Sequence, residues 1–65
     1  MNLKQMEYFV AAAEQLNFTR AAKKCFISQT AMTLQIQSLE EKIGVPLFVR
    51  DKHHVELTAA GKVYL

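Results

Sequence analysis

Asn17-Phe18-Thr19-Arg20-Ala21-Ala22-Lys23-Lys24-Cys25-Phe26-Ile27-Ser28-Gln29-Thr30-Ala31-Met32-Thr33-Leu34 is the stretch that decides the fold. Asn and Ser are good N-caps, because a short side-chain oxygen accepts an N–H of the first helical turn. Asn17 and Ser28 therefore open two helices in quick succession. Residues 18–26 read as a short helix with Ala21, Ala22, Cys25 and Phe26 available for packing. Its alanines let a neighbouring helix come close, where larger side chains would hold it off. Ile27 reads as a buried turn residue. From Gln29 onward Met32, Ile36, Leu39 and Ile43 recur at steps of four, three and four, tracing one helix face. Gly44 stands where a helix C-terminus often needs positive φ, and Lys42 suits the last turn.

On the N-terminal side, Asn2 is a plausible cap for a first helix with Leu3, Met6, Phe9, Val10, Ala13 and Leu16 on one face. Asn17 is expected both to end that helix and to cap the next. On the C-terminal side the pattern changes. Val45 to Arg50 is an apolar, partly β-branched run, with Pro46 tolerable at a strand start. Asp51-Lys52-His53-His54 is turn-like, and Val55-Glu56-Leu57 alternates as a short strand. Thr58 caps a further helix from Ala59 to the last residue, Leu65. A helix stopping on Val63-Tyr64-Leu65 suggests a longer parent protein.

Composition narrows the function. A chain of 65 residues is one small domain, and at this size folding buries only about 60% of the surface. There is little room for an enclosed substrate cavity, which weighs against an enzyme. No glycine-rich phosphate loop is possible with Gly44 and Gly61 alone. Glu40 and Glu41 are helix neighbours pointing about 100° apart, so they read as surface residues and not as a paired acid and base. Cys25, His53 and His54 lack the spacing of metal ligands. The longest apolar run falls far short of the ~20 residues of a membrane span. A lone cysteine and the lack of a leader pattern point to a soluble, cytoplasmic protein.

The net charge of +2 says little, but its distribution says more. No carboxylate lies between Gln15 and Leu39, where Arg20, Lys23 and Lys24 stand. Such a span suits an anionic partner. On the third helix, Thr30, Thr33, Gln37 and Ser38 fall opposite the core stripe, with Gln29 in the first turn. Threonines on an exposed helix face cost helix propensity without packing return. Base readout explains them: Gln can bond adenine N6 and N7 together, and Thr can bond base edges or pack on a thymine methyl. Helix, short turn and capped helix is the order in which a recognition helix enters the major groove. The hairpin carries Arg50, Lys52, His53 and His54, suited to a flanking phosphate or minor groove. The alternative is a protein-interaction or dimerisation module, which should show large apolar anchors on the outer face of the third helix.

Leu3-x-x-Met6-x-Tyr8-Phe9, Asn17-Phe18-Thr19-x-Ala21-Ala22 and Ile27-Ser28-Gln29 resemble the opening of the LysR-type transcriptional regulators. Gln35-Ile36-x-x-Leu39-Glu40, Gly44-Val45-x-Leu47-Phe48-x-Arg50 and Leu57-Thr58-x-Ala60-Gly61 continue the resemblance to the end of the chain. It implies a mainly α fold with a small β-hairpin: a winged helix-turn-helix of three helices, a two-stranded wing and the start of a linker helix. The DNA-binding domain would occupy residues 1–58, its helix-turn-helix about 18–37 and its wing about 47–57, with a truncated linker helix at 59–65. The resemblance also implies double-stranded DNA with an imperfect palindromic operator as partner, and a homodimer or tetramer. No cofactor is implied in this domain, and a small-molecule effector is implied for a C-terminal domain beyond it. Contacts carried over by position fall on Gln29, Thr30, Thr33, Leu34 and His53. Thr30 stands where proline is common, and Leu34 and His53 stand where arginine is common. The family's charged contacts are thinned here, which implies weaker non-specific affinity.

Overall fold

The structure, a computed structural model, describes residues 2–51 and 54–65. Three helices, α1 (Leu3–Gln15), α2 (Phe18–Lys24) and α3 (Gln29–Ile43), precede a hairpin of β1 (Phe48–Arg50) and β2 (Val55–Leu57). A short helix, α4 (Ala59–Tyr64), follows. The strands are antiparallel, with Phe48 opposite Leu57 and Arg50 opposite Val55. The expected winged helix-turn-helix architecture is present. No described helix is long and apolar enough to cross a membrane.

The helix starts follow from local chemistry. Asn2, Asn17, Ser28 and Thr58 are all extended, and each side-chain oxygen accepts an N–H three residues on. Each such cap contributes about 1 kcal/mol. Gly44 closes α3 at φ +89, a left-handed conformation that favours glycine. One expectation fails at the end of α1. Leu16 takes the left-handed position at φ 48, while Asn17 is extended and caps α2 only. Asn17 cannot do both, because an N-cap needs β-region backbone.

Phe9, Met32, Ile36, Leu39 and Leu47 fill the centre of the core, with Ala12, Ala21 and Ala22 where the helices meet. Phe48 is wedged between rings from two helices, edge-on to Phe9 at 5.7 Å and to Phe18 at 5.4 Å. Leu3, Met6 and Leu16, read as core from their spacing, are exposed. The apolar stripe of α1 is longer than the surface available to cover it. Ile27 and Ile43 are half-buried rather than fully buried. Phe26 departs furthest from expectation: it lies beyond the end of α2, at φ 60, and is 95% exposed. Val45 and Pro46 are exposed and precede the strand rather than forming part of it.

Two inward-turned polar groups, one buried and one half-buried, were missed by pattern reading. Gln5 is 4% exposed, and its amide faces α3. Its Nε2 donates to Gln35 Oε1 at 3.5 Å and to Ser38 Oγ at 3.4 Å, while Lys42 Nζ donates to its Oε1 at 3.3 Å. Glu40, read as a surface residue, is turned towards the hairpin instead. Its Oε2 accepts the Leu47 N–H at 2.7 Å and the Phe48 N–H at 3.2 Å, satisfying backbone donors at the start of β1.

Candidate nucleic-acid interface

With Met32, Ile36 and Leu39 buried on its inner face, the other side of α3 must point outward. Gln29, Thr30, Thr33, Leu34 and Gln37 line one continuous hollow on that side, whereas Ser38, grouped with them from the sequence, is turned towards α1 and accepts from Gln5 Nε2. The lining residues are all exposed except Thr33, which is half-buried. The face carries amides, hydroxyls and one large apolar side chain, Leu34, at 59% exposure. The Ser28 cap takes up the Ala31 N–H at 3.0 Å. The amide and hydroxyl groups beside it therefore stand on a helix turn whose backbone is already ordered.

A second cleft, of about 360 Å³, opens between the starts of α2 and α3 and the hairpin. Thr19, Gln29, Arg50 and His54 all reach its lining. Gln29 belongs to both surfaces and joins them. Arg20 is exposed on α2, and its N–H goes to Asn17 Oδ1 at 2.9 Å. No described carboxylate lies within ion-pair distance of Arg20, Lys23 or Lys24. This end of the molecule presents uncompensated positive charge.

The hairpin is less simply basic than its sequence implied. Lys52 and His53 lie outside the described residues. His54 is exposed, with Asp51 Oδ1 3.6 Å from its Nδ1 and Glu56 Oε1 3.7 Å from its Nε2. Asp51 Oδ1 also accepts the His54 N–H at 2.9 Å, and the Asp51 N–H donates to the His54 carbonyl at 3.2 Å. These bonds close the ends of the turn. Arg50 is directed inward: its Nη2 donates to Glu40 Oε1 at 2.9 Å, and its guanidinium carbon lies 4.7 Å from the centroid of the Phe18 ring. Pattern reading had no means of finding that partner, since Glu40 is one of several acids at comparable distance along the chain.

Chemically, the arrangement offers no convergent acid, base and nucleophile. Among the described residues no cluster of His, Cys, Asp or Glu could hold a metal ion. It offers an uncharged, hydrogen-bonding hollow along α3, joined through Gln29 to the cleft that Arg50 and His54 line. That is a surface for reading the edges of a long polar partner.

Comparison with known proteins agrees with that geometry. The family model described as bacterial regulatory helix-turn-helix protein, lysR family, matches residues 3–62. The Hca operon transcriptional activator HcaR of Escherichia coli (strain K12) is 55% identical over 65 residues, spanning 100% of this chain and 22% of that protein. The transcriptional regulator AlsR of Bacillus subtilis (strain 168) is 46% identical, again over 100% of this chain and 22% of its own length. Among solved structures, the CbnR DNA-binding domain in complex with DNA superposes with a TM-score of 0.96 at 45% identity, covering 100% of this chain and 75% of that one. The BenM DNA-binding domain on catB site 1 DNA gives 0.93 at 41% identity, covering 98% of this chain and 71% of that one.

Proposed function

The chain belongs to the LysR family of bacterial helix-turn-helix regulators, and from that premise we propose that it binds double-stranded DNA sequence-specifically through α3. The observation that carries the proposal is the uncharged face of Gln29, Thr30, Thr33, Leu34 and Gln37, set on a helix whose opposite face is locked in the core. Relatives of the same fold are seen on DNA, which supports this reading over an interaction module. An interaction surface would also need more than Leu34 as an apolar anchor on this face.

In this mechanism α3 enters the major groove N-terminus first. Gln29, Thr30 and Thr33 meet base edges, Gln37 follows one turn later, and Leu34 packs on a thymine methyl. Thr19 and Arg20, at the start of α2, hold a backbone phosphate beside the groove. The hairpin meets the flanking backbone or minor groove, with Arg50 at the turn end of β1, His54 just before β2, and Lys52 and His53 between them in the sequence. The proposed role is regulatory rather than catalytic, a reading that the names of the relatives support.

The chain spans about a fifth of the length of the curated relatives it matches. Pairing of two copies on a palindrome, and control by a small-molecule effector, are proposed for a protein of that length. One copy alone binds weakly, and a second multiplies affinity through effective concentration.

The test is a salt-titrated anisotropy assay on a duplex that the wild-type chain selects from a randomised pool. Binding should weaken with salt, and the Gln29→Ala/Thr33→Ala double variant should lose preference for the selected duplex. Equal affinity for all duplexes in both proteins would leave only a basic surface.

A further inference from the structure

A hairpin with three residues in each strand has too few bonds to hold its own orientation. What orients this one comes from outside it: Phe48 packs against Phe9 of α1 and Phe18 of α2, and one residue of α3 adds a polar tie. Glu40, in the last turn of α3, uses one carboxylate oxygen on two backbone N–H groups at the start of β1 and the other on Arg50 at its end. Arg50 in turn lies over Phe18, the first residue of α2. Their side chains are only 15% and 28% exposed, so water competes weakly for the pair. One carboxylate and one guanidinium thereby tie the hairpin to both helices of the helix-turn-helix.

We infer that Glu40 and Arg50 are positioning residues that set the angle of the wing against α3, and that Arg50 acts on DNA through this clamp rather than by holding a phosphate. The consequence for DNA rests on the proposed function; the clamp itself does not. The two roles predict opposite signs. Removing a carboxylate from a surface that meets a polyanion normally tightens binding. Removing Glu40 should instead weaken it, because the wing loses its bearing. An Arg50 bound to a phosphate would release one counterion, so its loss would lower the salt slope by about one. A clamp makes Glu40→Gln and Arg50→Gln change the slope alike, through the backbone contacts that the misaimed wing gives up.

The experiment compares the wild-type chain with Glu40→Gln, Arg50→Gln, their double variant and Arg50→Lys. The probes are the selected duplex and the same duplex trimmed to the segment under α3. On the longer duplex, Glu40→Gln and Arg50→Gln should each weaken binding roughly tenfold, the scale of one charged hydrogen bond. The double variant should be little worse than either single one. The salt slope should change alike in Glu40→Gln and Arg50→Gln, the trimmed duplex should bind all variants alike, and Arg50→Lys should recover part of the loss. A slope lowered in Arg50→Gln but not in Glu40→Gln, unchanged or tighter binding by Glu40→Gln, or equal losses on both duplexes would overturn the clamp. Amide exchange on the DNA-free chain decides independently. Glu40→Gln should speed exchange at Leu47 and Phe48 and leave Met32 and Ile36 unaffected, whereas unchanged exchange at Leu47 and Phe48 would also overturn it. A wild-type chain that bound no duplex would overturn the DNA consequence together with the proposed function, while the exchange result would still judge the clamp.

Discussion

Helix α3 and the hairpin, the two surfaces proposed to meet DNA, are held in place by different physics. The helix has 15 residues, a side-chain cap at one end, a glycine at the other, and three fully buried side chains between. Its orientation is set by its own periodicity against α1 and α2. The hairpin has six strand residues, and its alignment depends on groups distant in sequence. Glu40 holds β1, and the Thr58 N–H and hydroxyl hold the preceding segment through the Leu47 carbonyl at 2.9 Å and the Pro46 carbonyl at 2.7 Å. A reading helix can be written locally. A wing must be aimed from outside.

Substitutions separate the two. Ile36→Ala, at the centre of the core beneath the reading face, should cost about 2–5 kcal/mol and bring down helix and hairpin together. Thermal unfolding followed by far-ultraviolet circular dichroism checks it, and loss of the hairpin alone would break the comparison. Gly61→Ala is the complementary test. A Cβ there runs into the Leu47 carbonyl oxygen and stands 2.8 Å from Leu57 Cδ2, so α4 must shift away from the base of the hairpin. It should cost about 1–3 kcal/mol, with chemical-shift changes centred on Leu47 and Leu57 rather than on Thr30 and Thr33.

The helix starts and the outward face of α3 were legible from the sequence because their causes are short-range. Asn2, Asn17, Ser28 and Thr58 each bond three residues ahead, and the outer face of α3 follows from Met32, Ile36 and Leu39 by helix geometry alone. Gln5 and Glu40 were not legible. Their partners lie 30–37 and 7–10 residues away in the chain, and nothing in a polar residue's neighbours says that it is buried. The left-handed backbone at Leu16 and Phe26 was equally hidden, since such positions are usually announced by Gly or Asn. Spacing also overstated the core of α1, because periodicity shows which face is apolar and not how far along it a neighbour extends.

Smaller changes sharpen the contrast on the reading face and the turn before it. Leu34→Arg should tighten binding at low salt and steepen the salt slope by about one, because it adds a cation where the ridge has none. An unchanged slope would place position 34 away from the phosphates. The smallest effect is expected at Phe26, a nearly fully exposed aromatic residue in left-handed backbone. Asn tolerates that conformation better and sacrifices no packing here, so Phe26→Asn should stabilise by about 0.5–1 kcal/mol. At this size that is a rise in Tm of a few degrees, roughly 4–8 °C per kcal/mol.

The most direct test of DNA reading by α3 is chemical-shift mapping of the labelled chain as the selected duplex is added. The largest changes should fall at Gln29, Thr30, Thr33, Leu34 and Gln37, with a second group at Thr19, Arg20 and His54. Leu3, Met6 and Val10 on α1 should stay still. Changes concentrated on α1 or α4, with the outer face of α3 unmoved, would contradict the account.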